Sequence, residues 1–167
     1  MTEDPLSTPP QRTLLTARSE YLEGFGRLLD RACRELRIFD TDLSELGMNS
    51  PERIEKLARL LRRNRAHRVF IALHDVEHVA KYCPRLVALL GSFAGAISIH
   101  RTQGEAAKVQ DCFVLADREY LVRRPVAAQP RGVLVLDDPK ECQPMFERFG
   151  EIWESSHPAV SANTTGL

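Results

Sequence analysis

The sequence predicts a three-layer α/β/α domain built on a mixed, mostly parallel β-sheet. Helical and strand patterns alternate through the first part of the 167 residues, and such alternation produces parallel strands joined by right-handed crossovers. Three consecutive strand patterns follow, which adds an antiparallel part, and an amphipathic helix comes last. A chain of this length is long enough to bury a sizeable core.

Each element is predicted by the spacing of its apolar residues. Pro51 suits the first turn of the second helix, Pro84 must end or bend the third, and Asp138 can cap the last. In chain order, the patterns predict helix 17–35, strand 36–42, helix 49–64, strand 67–73, helix 75–93, strand 94–100, strands 111–117, 118–124 and 132–138, and helix 138–156.

We expect these elements to form a single domain over residues 13–157. Residues 1–12 carry Pro, Thr and Asp without apolar periodicity, and residues 158–167 are mostly small and polar. Segments of this composition bury too little apolar surface to offset the entropy of ordering, so both ends are expected to be disordered.

Composition and charge argue against several classes of protein. Lys plus Arg and Asp plus Glu both number 23, which argues against a protein built mainly to bind nucleic acid. No apolar run reaches the ~18 residues of a membrane-spanning helix. The first residues are acidic and Pro-containing, unlike a signal peptide, and the four cysteines form no C-x-x-C pair. We therefore expect a cytoplasmic protein with free thiols, no cofactor and no contact with a membrane.

His74, Glu77 and His78 spell H-x-x-E-H, a pattern of zinc peptidases of the inverzincin type. Zinc binding requires both imidazoles on one helix face, one turn apart. His74 directly follows the strand 67–73, so we interpret it as a strand-end residue and predict no metal site.

Polar side chains follow the predicted parallel strands at the points where they end. Asp40 and Asp42 follow the first strand, His74 follows the second, and His100 and Arg101 follow the third. Ligands of open α/β sheets bind at the carboxyl ends of parallel strands, so we expect a pocket at this edge. The two aspartates could instead bind a divalent cation or shape a loop, and we favour the loop role.

The order of elements over residues 36–157 resembles the phospholipase D-like domain. A β-hairpin of that family carries H-x-K-x4-D, followed six residues later by a Gly-Ser turn. The matching segment here is "QDCFVLADREYLVRRP", in which Asp117 occupies the position of the motif's Asp. The other motif positions hold Gln110 for His, Cys112 for Lys, and Arg124 and Pro125 for Gly and Ser.

The resemblance implies a degenerate, non-catalytic member of the fold. An amide cannot replace the family's nucleophilic His, and a thiol lacks the charge with which Lys stabilises phosphoryl oxygens. We expect a binding or assembly module of an uncharacterised bacterial family rather than an enzyme. Its pocket would lie near Asp40, His74, His100 and Gln110. Single-motif members of the fold commonly pair, so the resemblance implies a homodimer, and another protein is an alternative partner.

Two other functions stay open. One is a divergent phosphodiesterase or phosphatase that uses His74 or His100 as its nucleophile. The other is a nucleic-acid accessory protein that binds through two groups of basic residues, one at 62–68 and one comprising Arg101, Lys108, Arg118, Arg123, Arg124 and Arg131. We favour a structural interpretation of both groups, since cations suit helix C-termini and charges on sheet edges prevent aggregation.

Overall fold

A computed structural model of the chain describes residues 8–162. The described residues form eight strands, five α-helices and one short 3-10 helix at Gly104–Lys108. The elements are β1 (Gln11–Leu15), α1 (Arg18–Arg31), β2 (Glu35–Asp40), α2 (Pro51–Arg63), β3 (Arg68–Leu73), α3 (Glu77–Tyr82), α4 (Pro84–Ser92), β4 (Ile97–Thr102), β5 (Cys112–Ala116), β6 (Tyr120–Arg124), β7 (Gly132–Leu136), α5 (Pro139–Glu154) and β8 (Ser156–Val160).

Local signals in the sequence set the helix boundaries. The Ser50 side chain accepts a hydrogen bond from the backbone N–H of Arg53 at 3.4 Å, and Asp138 accepts one from Glu141 at 3.1 Å. These contacts satisfy N–H groups that have no partner inside the helix. The third predicted helix is divided at Pro84 into α3 and α4, as expected from the missing N–H of proline. None of the helices within residues 8–162 has the length and apolarity of a membrane span.

The strands form one mixed sheet in the order β1-β7-β6-β5-β2-β3-β4-β8, which confirms the predicted α/β class. The expectation of a mostly parallel sheet is wrong. Among the described residues, two of the seven strand pairings are parallel, β2 with β3 and β3 with β4. Parallel neighbours need a crossover connection, and α2 and the α3–α4 pair provide one in each case. The hairpin strands and both terminal strands add antiparallel pairings.

Helices cover both faces of the sheet, which confirms the three-layer arrangement. Side chains alternate between the faces along each strand. Ile38 packs into the larger core cluster with residues of α1, α2 and α4, whereas the neighbouring Phe39 packs into a second cluster with Phe113 and with Phe149 of α5. Burial of a large apolar side chain stabilises the fold by about 1.5–3 kcal/mol, so both clusters contribute to its stability.

The domain extends beyond both predicted boundaries. β1 begins at Gln11 and pairs with β7, so the predicted disorder of 1–12 is wrong at its end. β8 runs to Val160 beside β4, so the predicted disorder of 158–167 is wrong at its start. Both are edge strands held by backbone hydrogen bonds, and they show little apolar alternation. The remaining parts of these predictions, residues 1–7 and 163–167, lie outside the described residues.

Candidate functional site

The sheet separates the residues that were expected to share one pocket. Asp40 follows Phe39 in β2 and therefore faces α1, where the charge of Arg124 acts on it. The His74 ring lies 5.2 Å from the Phe39 ring between centroids, and His100 stacks on Trp153 of α5 at 3.6 Å. Both imidazoles therefore lie on the α5 face, and the predicted grouping of Asp40 with His74 and His100 is wrong.

His74 has a structural role at the end of β3. Its Nδ1 lies 2.6 Å from Thr102 Oγ1, and its Nε2 lies 2.8 Å from the carbonyl oxygen of Val109. A carbonyl oxygen only accepts, so Nε2 donates to Val109, and in the neutral ring Nδ1 then accepts from the Thr102 hydroxyl. Neither ring nitrogen keeps a lone pair for attack on phosphorus or for binding a metal.

The H-x-x-E-H pattern does not lie on one helix. Helix α3 begins at Glu77, after His74, and the His78 ring lies 5.2 Å from the Tyr82 ring between centroids. Within residues 8–162, no group of three or more His, Cys, Asp or Glu side chains is arranged to hold a metal ion.

His100 holds β4 against β8 and α5. Its Nδ1 lies 2.9 Å from Ser156 Oγ, which itself donates to the carbonyl of Trp153 at 2.5 Å. Burial lowers the pKa of His100, and the nearby His157 lowers it further. Both effects favour the neutral form of the ring that stacks on the indole. Arg101, the next residue, is exposed at the same sheet edge.

Asp40 and Asp42 shape the loop after β2. Asp40 Oδ2 accepts from the N–H of Leu43 at 2.8 Å, and Asp42 Oδ1 accepts from the N–H and hydroxyl of Ser44 at 2.9 and 2.6 Å. These bonds hold Leu43 at a positive φ of 69°, which a branched side chain seldom adopts. Burial raises the pKa of Asp40. Both carboxylates therefore have the loop-shaping role that the sequence favoured.

Asp117 lies at the opposite end of the sheet from Asp40, because β5 runs antiparallel to β2. Its Oδ1 accepts from the backbone N–H groups of Arg34 and Glu35 at 2.9 and 3.1 Å, and its Oδ2 accepts from Cys33 at 3.1 Å. This residue positions the start of β2 and is not part of a pocket at the strand ends.

Gln110 lies just before β5, with an exposed side chain. Its backbone carbonyl accepts from the N–H of Ala127 at 2.7 Å, which ties the segment after β6 to the start of β5. Gln110, at the motif's His position, therefore helps to position the segment after β6 through its backbone carbonyl.

A buried polar cluster centred on Arg124 lies on the α1 face. The Arg124 side chain is 3% exposed, and its Nη2 donates to Glu45 Oε2 at 2.7 Å. Its Nε donates to the Cys112 sulfur at 3.5 Å, and its guanidinium lies over the Tyr21 ring at 4.5 Å from the centroid. Cys112, at the motif's Lys position, and Arg124, at the position of the turn's Gly, therefore contact each other in the core.

Arg123 belongs to a second polar cluster, which is centred on the buried Asp111 and lies on the α5 face. It donates through Nε to Asp111 Oδ2 at 3.2 Å, and Arg148 of α5 binds both oxygens of the same carboxylate. The interpretation as an exposed charge is therefore wrong for Arg124, whereas the Arg123 side chain is half-buried. Adjacent residues of a strand face opposite sides, so at least one arginine of the pair had to point into the core. That alternation is the signal that could have revealed these clusters.

Arg124 carries the positive charge of the Arg124 cluster, whereas Cys112, at the motif's Lys position, carries none. Burial raises the pKa of Cys112, so the thiol stays protonated at neutral pH. Burial by itself lowers the pKa of Arg124, but hydrogen bonds to Cys112 and Glu45 raise it overall. Arg124 is therefore a permanently charged side chain held inside the fold.

This arrangement of strands and helices is the α/β fold of solved phospholipase D family members. TrmBL2, an archaeal chromatin protein described as showing a novel mode of DNA binding, aligns with 14% identity and a TM-score of 0.65 over 95% of this chain and 56% of that one. Nuc from Salmonella typhimurium, a phospholipase D family member, aligns with 15% identity and a TM-score of 0.60 over 92% and 100%. NucT from Helicobacter pylori aligns with 14% identity and a TM-score of 0.61 over 90% and 100%.

The chain belongs to the family described as a domain of unknown function (DUF7931), whose model matches residues 17–163. It spans about half the length of the archaeal protein and the full length of the two Nuc-type structures. No functionally curated protein sequence shows a significant match to the chain. At these identities the structural likeness establishes the fold, and the expected phospholipase D-like architecture is confirmed.

Proposed function

We propose that this domain is a non-catalytic phospholipase D-like module that acts by binding and does not cleave phosphodiesters. The contact between Arg124 and Cys112 carries the proposal. The side chain at the motif's Lys position is a buried, protonated thiol, and the side chain from the motif's Gly position covers it. The cation and the nucleophile of the family's chemistry therefore have no counterpart at these positions.

The two imidazoles considered as replacement nucleophiles also support a binding role. Both nitrogens of His74 are hydrogen-bonded, and His100 is packed between Trp153 and Ser156. A replacement nucleophile would need a free nitrogen close to a cation that stabilises the phosphoryl oxygens. Arg124 lies on the other face of the sheet from both rings, and Arg123 and Arg148, on the same face as the rings, are paired with Asp111.

A turnover assay tests the absence of catalysis. We expect the wild-type protein to release p-nitrophenol from bis(p-nitrophenyl) phosphate, and to cut single- or double-stranded DNA, no faster than a buffer blank. A phospholipase D-type nuclease serves as the positive control. His74→Ala and His100→Ala are expected to give the same blank rate. Wild-type turnover that falls about 100-fold or more in either variant, the scale of a lost catalytic group, would contradict the proposal.

The homodimer implied by the resemblance stays a prediction. Leu14 on the edge strand β1 is 68% exposed, and the outer edge of this strand offers backbone groups to a second copy. Multi-angle light scattering distinguishes a monomer of 18.9 kDa from a particle of twice that mass, and Leu14→Glu tests the role of this edge.

A further inference from the structure

A cavity of about 250 Å³ opens beside the Arg124 cluster. It lies between the start of α1, the loop after β2 and the end of β6, and its wall combines cationic, hydroxyl and aromatic groups. The lining residues are Arg18, Ser19, Tyr21, Leu22, Glu45 and Arg124.

Two guanidinium groups converge on one carboxylate at this cavity. Arg18 Nη1 donates to Glu45 Oε1, and Arg124 Nη2 donates to Glu45 Oε2 at 2.7 Å. Each oxygen of the carboxylate thus has its own arginine. This is the arrangement by which arginine pairs hold an oxyanion, because the charged donors bind both oxygens in a defined geometry.

Both arginines have contacts besides those with Glu45. Arg124 is fixed by Cys112 and Tyr21, and Arg18 Nη2 donates to the carbonyl of Ala128 at 2.8 Å. Glu45 lies in the loop after β2, its side chain is 46% exposed, and within residues 8–162 these two arginines are the ion-pair partners it has. A buried guanidinium without an anion is costly, so the exposed carboxylate occupies a place that another anion could take.

We propose that this cavity binds a phosphate monoester group and that Glu45 occupies the anion position until the ligand displaces it. The inference rests on the proposed function, that the domain binds and does not cleave. A phosphate monoester carries about −1.5 to −2 charges and three acceptor oxygens, enough for Arg18, Arg124 and the Ser19 hydroxyl. A ligand with one carboxylate offers the two arginines no more charge and no more acceptor oxygens than Glu45 does. Because Glu45 is part of the same chain, it competes with such a ligand at an effective concentration on the order of millimolar. Arg18, Ser19 and Glu45 lie outside the H-x-K-x4-D positions.

Calorimetric titration with phenyl phosphate tests the proposal. Glu45→Gln keeps the size of the side chain but removes its charge, so this variant should bind phenyl phosphate roughly tenfold or more tightly than the wild type. Sodium benzoate, the carboxylate probe, should show no comparable gain. Adding Arg18→Met to Glu45→Gln should abolish the gain, because one of the two cations is then lost.

Glu141→Gln is the matched control. It breaks the exposed ion pair between Glu141 and Arg12, whose side chains are 41% and 59% exposed against 46% and 51% for Glu45 and Arg18. This variant should bind phenyl phosphate as the wild type does. Equal affinities of the wild type and Glu45→Gln for phenyl phosphate would overturn the proposal. An equal gain for benzoate would also overturn it, since the site would then accept any anion.

A second measurement keeps the proposal testable if Glu45→Gln does not fold. Inorganic phosphate added to ¹⁵N-labelled wild-type protein should shift the amide signals of Ser19 and Glu45, and unchanged signals at millimolar phosphate would overturn the proposal. Release of p-nitrophenol from bis(p-nitrophenyl) phosphate, measured on the same samples, separates the two claims. Turnover contradicts the absence of catalysis, whereas missing phosphate binding contradicts only this inference.

Discussion

Replacing Gly132 with Ala is expected to destabilise the domain by about 3 kcal/mol, the upper end for an overpacked core site. A Cβ at this position would lie 2.5 Å from the carbonyl oxygen of Arg123 and 3.2 Å from Cγ of Arg124. The carbonyl belongs to the neighbouring strand β6, so it can move only if the β6–β7 pairing or the buried Arg124 cluster moves with it. Urea unfolding at pH 7 measures the change in the free energy of unfolding.

Gly150→Ala is the matched control for this substitution. Gly150 lies within α5, and apart from the backbone of that helix a Cβ there would meet no heavy atom within 4 Å. Alanine is favoured over glycine inside a helix, so this variant should be more stable than the wild type by about 0.8–1 kcal/mol. If Gly132→Ala unfolded at the same urea concentration as the wild type, the close approach of β6 and β7 at Gly132 would be refuted.

Asp117→Ala is expected to reduce the free energy of unfolding by about 3 kcal/mol, because it removes the acceptor of three backbone N–H groups. These N–H groups, of Cys33, Arg34 and Glu35, precede or begin β2, which forms a parallel pairing with β3. The residue also has a positive φ of 52°, which alanine adopts less readily than aspartate. Asp117→Asn keeps one oxygen and tolerates this φ, so it should lose about half as much.

Asp137→Ala separates backbone strain from the lost hydrogen bonds. Asp137 has a similar φ of 59°, but its carboxylate contacts side chains, that of Arg31 at 3.4 Å and that of Tyr120. We expect this variant to lose about 1 kcal/mol, the scale of the left-handed backbone cost. Hydrogen exchange at Arg34 and Glu35 should quicken in Asp117→Ala and stay unchanged in Asp137→Ala. Equal stability losses in the two alanine variants would refute a stabilising role for the Asp117 hydrogen bonds.

The helices and inner strands could be predicted because their signals are local. Apolar spacing located them, and caps and prolines set ends such as those at Ser50, Pro84 and Asp138. The terminal strands β1 and β8 could not be predicted in this way. Each is an edge strand whose pairing depends on backbone groups of a distant partner, and backbone hydrogen bonding leaves no pattern in the side chains.

The sequence by itself determined the α/β class, the order of most elements and the polar residues that follow the parallel strands. The strand register places Asp40 beside Leu73 and Leu73 beside Arg101, so the parallel strands end at one edge of the sheet, as the order of elements implied. Only the tertiary structure decided which face each side chain occupies and which helix covers that face. Alternation along the strands placed Asp40 and Arg124 beneath α1 but the imidazoles beneath α5. A candidate site is therefore a property of packing, since a shift of one residue along a strand moves a side chain to the opposite face of the sheet.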